Sequence, residues 1–233
     1  YKKRGLFVTF EGIEGSGKSY QIQKLYQKLK RNNIPAVLTR EPGGTMGAER
    51  IRKIILEDYF HPNSQNQFDK YTDTLLYLAS RNEHIKRKIK PAISKNKIIL
   101  CDRFTDSTLA YQVFGKGVNK HFVDFIHKYI LNGFRPDLTF ILKVNLSKSS
   151  QRLKKRKKKN RYDKFSRHFY SKVQNAFIRI AKMNKKRYII LDTSKDTKDT
   201  EKIIFNRFKK ILKNESKKNW SRFYQTSKSI VFI

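Results

Sequence analysis

The chain is poor in acid and in cysteine, and it has no long apolar run. Each shortage excludes something. Nineteen Asp and Glu face 54 Lys and Arg, leaving a formal net charge of +35. Such a field draws polyanions, whether nucleotides, nucleic acid or an acidic membrane. The excess is spread along the chain rather than gathered in one tail, and the chain is crowded with Lys, Asn and Ile. Both facts fit a compositional bias better than a dedicated nucleic-acid surface. A single cysteine, Cys101, excludes an internal disulfide and fits a reducing cytosol. It lies in an apolar run and is expected in the core. No stretch has the uninterrupted apolar length of a membrane helix. The chain starts at Tyr1 with no signal-peptide pattern, so a cytoplasmic protein is expected. The five histidines show no metal-ligand spacing, and no nucleophile–base arrangement is visible. No internal repeat is apparent.

What is present is alternation. The 233 residues suit one α/β domain. Apolar runs over 5–11, 36–40, 97–102, 138–144 and 188–192 read as strands. Helical patterns fall near 18–31, 45–57, 70–90, 106–114, 119–132, 147–158, 165–184 and 197–213. This order predicts a five-stranded parallel, doubly wound sheet with helices on both faces. Pro91 is expected to stop the long third helix, and Pro136 to punctuate the approach to the fourth strand. Ligands of such sheets bind beyond the carboxyl ends of the strands, where Glu11, Arg40 and Asp102 fall.

Between the first strand and the first helix stands Gly12-Ile13-Glu14-Gly15-Ser16-Gly17-Lys18-Ser19, which reads G-x-x-x-x-G-K-[ST]. Strand, glycine loop and helix together are the context a phosphate-binding loop requires. Glycines let backbone N–H groups converge on phosphate oxygens, and the helix N-terminus adds positive charge. Lys18 is expected to reach the β- and γ-phosphates of a nucleoside triphosphate, and Ser19 to hold Mg²⁺.

Other clusters carry chemistry less plainly. Asp102-Arg103 ends an apolar strand: the acid can bind Mg²⁺ and the arginine can clamp a second phosphate. Thr39-Arg40-Glu41-Pro42-Gly43-Gly44-Thr45 is a loop whose glycines would let an anionic ligand approach the backbone, or an ordinary helix-opening turn. Composition alone leaves Arg52 a surface charge. Tyr77 and Arg81 share a helix face, which suits a planar base with carbonyl oxygens. By spacing alone, a core tyrosine and a surface arginine is the plainer reading. Ser107 pairs with Tyr111, and Thr108 with Gln112, at i,i+4. Thr108 and Gln112 can hydrogen-bond a base edge, or this stretch is a helix start capped by Asp106 or Ser107. Residues 152–161 hold eight basic residues in ten positions. Self-repulsion should keep that segment open until a polyphosphate closes it; nucleic-acid binding or a merely solvated face are the alternatives.

Taken in order, these blocks resemble the thymidylate kinase family, with Arg135-Pro136-Asp137-Leu138-Thr139 as a fifth. The likeness covers about residues 5–212. It implies the nucleoside monophosphate kinase form of the P-loop fold with a mobile lid at about 152–165. The kinase domain would span 1–213, followed by an extension over 214–233. The implied activity is phosphorylation of dTMP to dTDP with ATP and Mg²⁺, typically in a homodimer. A kinase for another monophosphate or a deoxynucleoside, and a nucleic-acid-stimulated ATPase, are the alternatives.

The family also implies roles. Glu14 would sit near the sugar 3′-hydroxyl and Tyr77 would stack on thymine. Arg81 would reach a thymine carbonyl, with Thr108 and Gln112 at the base edge. Tyr111 would crowd the sugar 2′ position, beside Ser107. Arg103, Arg40 and Arg52 would hold the dTMP phosphate. Glu41 and Asp102 would organise Mg²⁺ and water. Because Gly15 stands where some members carry a loop arginine, the catalytic arginine is expected from the lid, from among Arg152, Arg156 and Arg161. Asn160-Arg161-Tyr162-Asp163 resembles the lid end of that subclass. Lys143 departs from the family pattern, and the lid is unusually lysine-rich.

Overall fold

The computed structural model describes residues 5–58, 67–155, 165–195 and 198–212. Strands β1 (Phe7–Glu11), β2 (Ala36–Arg40), β3 (Ile98–Asp102), β4 (Leu138–Lys143) and β5 (Tyr188–Asp192) form one sheet in the order β2-β3-β1-β4-β5. Every pairing is parallel. Parallel neighbours cannot be joined by tight turns, so helices supply the crossovers. These are α1 (Lys18–Arg31), α2 (Met46–Asp58), α3 (Lys70–His84), α4 (Lys90–Ser94), α5 (Thr105–Thr108), α6 (Lys120–Leu131), α7 (Leu146–Lys154) and α8 (Arg167–Met183). A ninth helix, α9, covers residues 198–212. The fold class is the expected one.

Alternate strand residues pack to opposite faces. Val8, Phe10, Leu100, Phe140 and Leu142 meet Ile22, Leu25 and Leu29 of α1 and Ile204 and Phe208 of α9. On the other face, Phe7, Ile99 and Cys101 meet Ile85, Ile89 and Phe104, while Ile141 meets Val173 and Phe177 of α8. The inner strands β1, β3 and β4 are covered on both sides, which is why they read as largely apolar runs. Each buried Phe contributes ~2–3 kcal/mol of apolar transfer. Cys101 is fully buried, as expected.

Two helices depart from expectation. Pro91 does not end the third helix. A π turn over Ile85–Ile89 follows α3, with Lys90 N–H donating to Ile85 O, and Pro91 then falls in the first turn of α4. There its missing N–H costs nothing, and the widened turn avoids the clash of its ring with the preceding carbonyl. Burial of Ile85 and Ile89 rewards continuation. Likewise the 106–114 helix is α5 followed by a π segment, Leu109–Gly115. Neither Asp106 nor Ser107 caps it. Asp106 is buried and accepts from Arg187 and from the Tyr188 hydroxyl, both at 2.7 Å. The expected helix over 147–158 is described as far as Lys154. Most of the lid, with Arg156 and Arg161, and the 214–233 extension lie outside the described residues.

Candidate active site

The first centre is the loop between β1 and α1. Gly12 and Gly17 have φ of +138° and +86°. A Cβ on Gly12 would stand 2.4 Å from Leu142 O, so only glycine lets the loop lie against β4. No side chain caps α1 at Gly17, unlike α3, α6, α7 and α8, capped by Asp69, Asn119, Asn145 and Ser166. Its first N–H groups are therefore left for an anion. The carbonyls of the loop are turned the other way and tied. Gly12 O accepts from Lys18 Nζ (2.9 Å) and Arg103 Nη1 (3.0 Å), and Ile13 O from Lys18 Nζ (2.8 Å). Glu14 O accepts from Ser149 Oγ (2.7 Å), Gly15 O from Arg152 Nη1 (2.9 Å) and Ser16 O from Thr193 Oγ1 (2.9 Å). Sequence reasoning missed Ser149 and Thr193, which lack any local signature. Lys18 is buried. Desolvation, then the charge of Arg103, presses its pKa down to about 8.

At the end of β3, Ser19 Oγ donates to Asp102 Oδ2 at 2.9 Å. Asp102 Oδ1 is buried with no partner among the described residues. A buried carboxylate oxygen without a donor invites a cation. One carboxylate and one hydroxyl is the sparse set of hard oxygens that Mg²⁺ takes when phosphates complete its shell. These two residues therefore fit the metal expected of them.

Arg103 follows with φ of +72°, a left-handed conformation that costs a residue other than glycine about 1–3 kcal/mol. Its surroundings enforce it. Glu11, buried at the end of β1, accepts from Phe104 N–H (2.7 Å) and Ser107 Oγ (2.6 Å), and Ser107 Oγ accepts from Arg103 Nη1 (3.0 Å). Arg103 Nη2 pairs with Glu14, which also accepts from the Tyr111 hydroxyl. Burial would raise the pKa of Glu14, but Arg103 and Lys18 outweigh it and hold the carboxyl below its ordinary value. Burial likewise opposes the charge on Arg103, and Glu14 foremost restores it. Glu11 has less compensation. Desolvation, then nearby Asp106, pushes its pKa up to about 8.

A cleft of about 350 Å³ opens beside Arg103, lined by Tyr77, Arg81, Thr108, Tyr111 and Gln112 among others. Arg81 is no surface charge: it is 2% exposed. Its Nε donates to Glu41 Oε2 and its Nη1 to Thr108 Oγ1, both at 2.8 Å. Glu41 Oε1 is taken by His84 Nδ1 at 3.0 Å. Glu41, which resemblance implies organises Mg²⁺ and water, here accepts one hydrogen bond on each oxygen, from Arg81 and from His84. A Cβ on Gly43 would meet Glu49 and one on Gly44 would meet His84, each at 2.5 Å. The Glu41–Pro42 peptide is cis.

A wider cleft of about 1110 Å³ is lined by Glu14, Lys18, Ser19, Arg40, Arg52, Asp102 and Arg152, among others. Arg40 is exposed and paired with Glu49 (3.0 Å), and Arg52 donates to Pro42 O (2.8 Å). Arg152 spans Gly15 O and Thr193 O. Lys143 lies outside this group, 3.9 Å from Asp192. Glu41, Pro42 and Arg103 line both clefts. Among the described residues no helix is long and apolar enough to cross a membrane.

The comparisons agree on one family. A family model described as thymidylate kinase matches residues 10–204. The thymidylate kinase of Mycoplasma capricolum is 38% identical over 219 residues, 93% of this chain and 99% of that one. The thymidylate kinase of Halothermothrix orenii is 37% identical over 212 residues, 90% of this chain and 99% of that one. The crystal structure of thymidylate kinase from Ehrlichia chaffeensis superposes with a TM-score of 0.68 at 32% identity, covering 88% of this chain and 98% of that one.

Proposed function

Because the chain belongs to the thymidylate kinase family, it is a dTMP kinase, and we propose that it passes the terminal phosphate of ATP in line to dTMP across the junction of its two clefts. The observation that carries this geometry is that Arg103 lines both clefts. A guanidinium at the seam can grip the acceptor phosphate while Lys18 and the α1 amides cradle the donor. The accepting oxygen belongs to a phosphate that is already ionised, so no general base is needed, and the work is positioning and charge neutralisation. Glu14 keeps Arg103 protonated and aimed. Ser19 and Asp102 would hold Mg²⁺, which would supply neutralisation of phosphate charge.

On the acceptor side, Tyr77 stacks on the base, Arg81 meets a base carbonyl, and Thr108 and Gln112 take the edge. Tyr111 crowds the sugar beside Ser107 and Glu14. Arg40 and Arg52 add positive charge near the acceptor phosphate. Glu41 serves this site by holding Arg81. The catalytic lid arginine comes from Arg152, Arg156 or Arg161. The enzyme works in the cytoplasm as a homodimer. Leu75 on α3 and Phe125 and Tyr129 on α6 are exposed apolar side chains on neighbouring helices, a face that a second copy would cover. ADP release from ATP, compared across dTMP, dUMP, dCMP, dGMP and UMP, tests the assignment. The highest kcat/KM is expected with dTMP, and preference for any other acceptor would overturn it.

A further inference from the structure

Arg81 spends four of its five N–H groups inside the protein. Besides Glu41 and Thr108, Nη1 donates to His127 Nε2 at 2.8 Å, and Nη2 to Phe104 O at 3.0 Å. One Nη2 hydrogen remains. The guanidinium carbon also lies 5.3 Å from the centre of the Phe104 ring, which adds a cation–π contact. A polar chain thus runs from Thr39 Oγ1 to His84 Nε2 (2.7 Å), through Glu41 to Arg81, and on to His127. It links β2, α3 and α6, and its members are all buried.

His127 is the outlying member. It comes from α6, which contributes no lining residue to the smaller cleft. An arginine can only donate, so His127 Nε2 is the accepting nitrogen and the ring proton sits on Nδ1. Desolvation, then the charge of Arg81, presses its pKa down to about 3, so the ring stays an acceptor at any working pH.

We propose that His127 is a positioning residue for acceptor specificity: by accepting from Nη1 it fixes the guanidinium plane of Arg81 and leaves a single N–H for the cleft. A lone donor there suits a pyrimidine with a carbonyl at that edge. A base with an amino group at that edge would set donor against donor, which a buried site rejects strongly. Without His127 the second Nη1 hydrogen loses its partner, and the guanidinium is held by three hydrogen bonds instead of four. The proposal rests on the reading that Arg81 meets the base.

The test uses the purified full chain with His127→Leu, His127→Gln and Arg81→Ala, each checked for folding by circular dichroism and thermal melting. His127→Leu should lower kcat/KM for dTMP at least about tenfold and leave KM for ATP within about twofold. The ratio of dTMP to dCMP use should fall by about tenfold as well. His127→Gln, whose amide oxygen can stand near the position of Nε2, should restore most of both. If His127→Leu does not fold, His127→Ala takes its place. Unchanged dTMP kinetics and ratio, equal losses for ATP and dTMP with the ratio intact, or a Gln variant no better than Leu would each overturn the proposal. Arg81→Ala separates the two ideas. If it leaves dTMP use untouched, the reading of Arg81 itself has failed. If it impairs dTMP use while His127→Leu does not, only the role of His127 falls.

Discussion

Replacing Lys18 with Met keeps the side-chain stem and removes the charge. Lys18 Nζ is buried and donates to Gly12 O and Ile13 O at 2.9 and 2.8 Å. A pKa of about 8 in place of the ordinary 10.5 corresponds to ~3 kcal/mol against the charged form. The two carbonyl bonds return ~1 kcal/mol each. At neutral pH the variant should therefore be as stable as the parent, or more stable by about 1 kcal/mol, while turnover falls about a thousandfold or more. The pH dependence has a definite sign. The folded pKa is below the unfolded one, so between 8 and 10.5 the unfolded chain holds a proton that the folded chain has lost. Parent stability rises with pH across that window. The variant lacks the group, so any margin it holds over the parent is full below pH 8 and shrinks towards pH 10.5. Urea denaturation at about pH 7 and about pH 10, with a coupled ADP-release assay, measures both effects. A variant less stable than the parent by more than about 2 kcal/mol at neutral pH, a margin that widens with pH, or near-parent turnover would refute the reasoning.

Glu11→Gln should flatten another slope. The folded carboxyl titrates near 8 against an ordinary 4.5, so across that window the folded chain keeps a proton the unfolded chain has released, and parent stability falls as pH rises. Denaturation midpoints of parent and variant compared at the two ends of the window check it, and parallel slopes would count against it. Gly12→Ala should fail to fold stably, because its Cβ meets Leu142 O at 2.4 Å, whereas Gly17→Ala meets nothing within 4 Å. The second change should cost only ~1–2 kcal/mol of left-handed strain, and thermal melts that rank the two in reverse would contradict the loop geometry. Phe125→Glu together with Tyr129→Glu should leave a monomer by light scattering, while the parent elutes as a dimer. A monomeric parent would end the interface assignment.

Features with a local cause were legible. The inner strands announced themselves as largely apolar runs because both of their faces are covered. The phosphate loop was legible because its glycines, lysine and serine act within eight consecutive residues. The helix punctuation was only half legible. Pro91 signals a stop, but the burial of Ile85 and Ile89 carries the helix through a π turn. The Asp106 cap failed for the same kind of reason: Arg187 and Tyr188, more than eighty positions away, claim its carboxylate.

The partners of buried polar groups were not legible at all. Neither His84 nor His127 carries a spacing that marks it, and Ser149 and Thr193 look like ordinary surface residues until the fold sets them against the carbonyls of Glu14 and Ser16. The partners of Glu41 are likewise distant in sequence: its oxygens accept from Arg81 and His84. The sequence by itself determined the alternation of elements, the phosphate-loop motif and the family, since periodic burial and a contiguous motif are written in neighbours along the chain. Only the tertiary structure decided which acid meets which base, because a desolvated charge must take whatever donor or acceptor the packing of distant elements brings within about 3 Å.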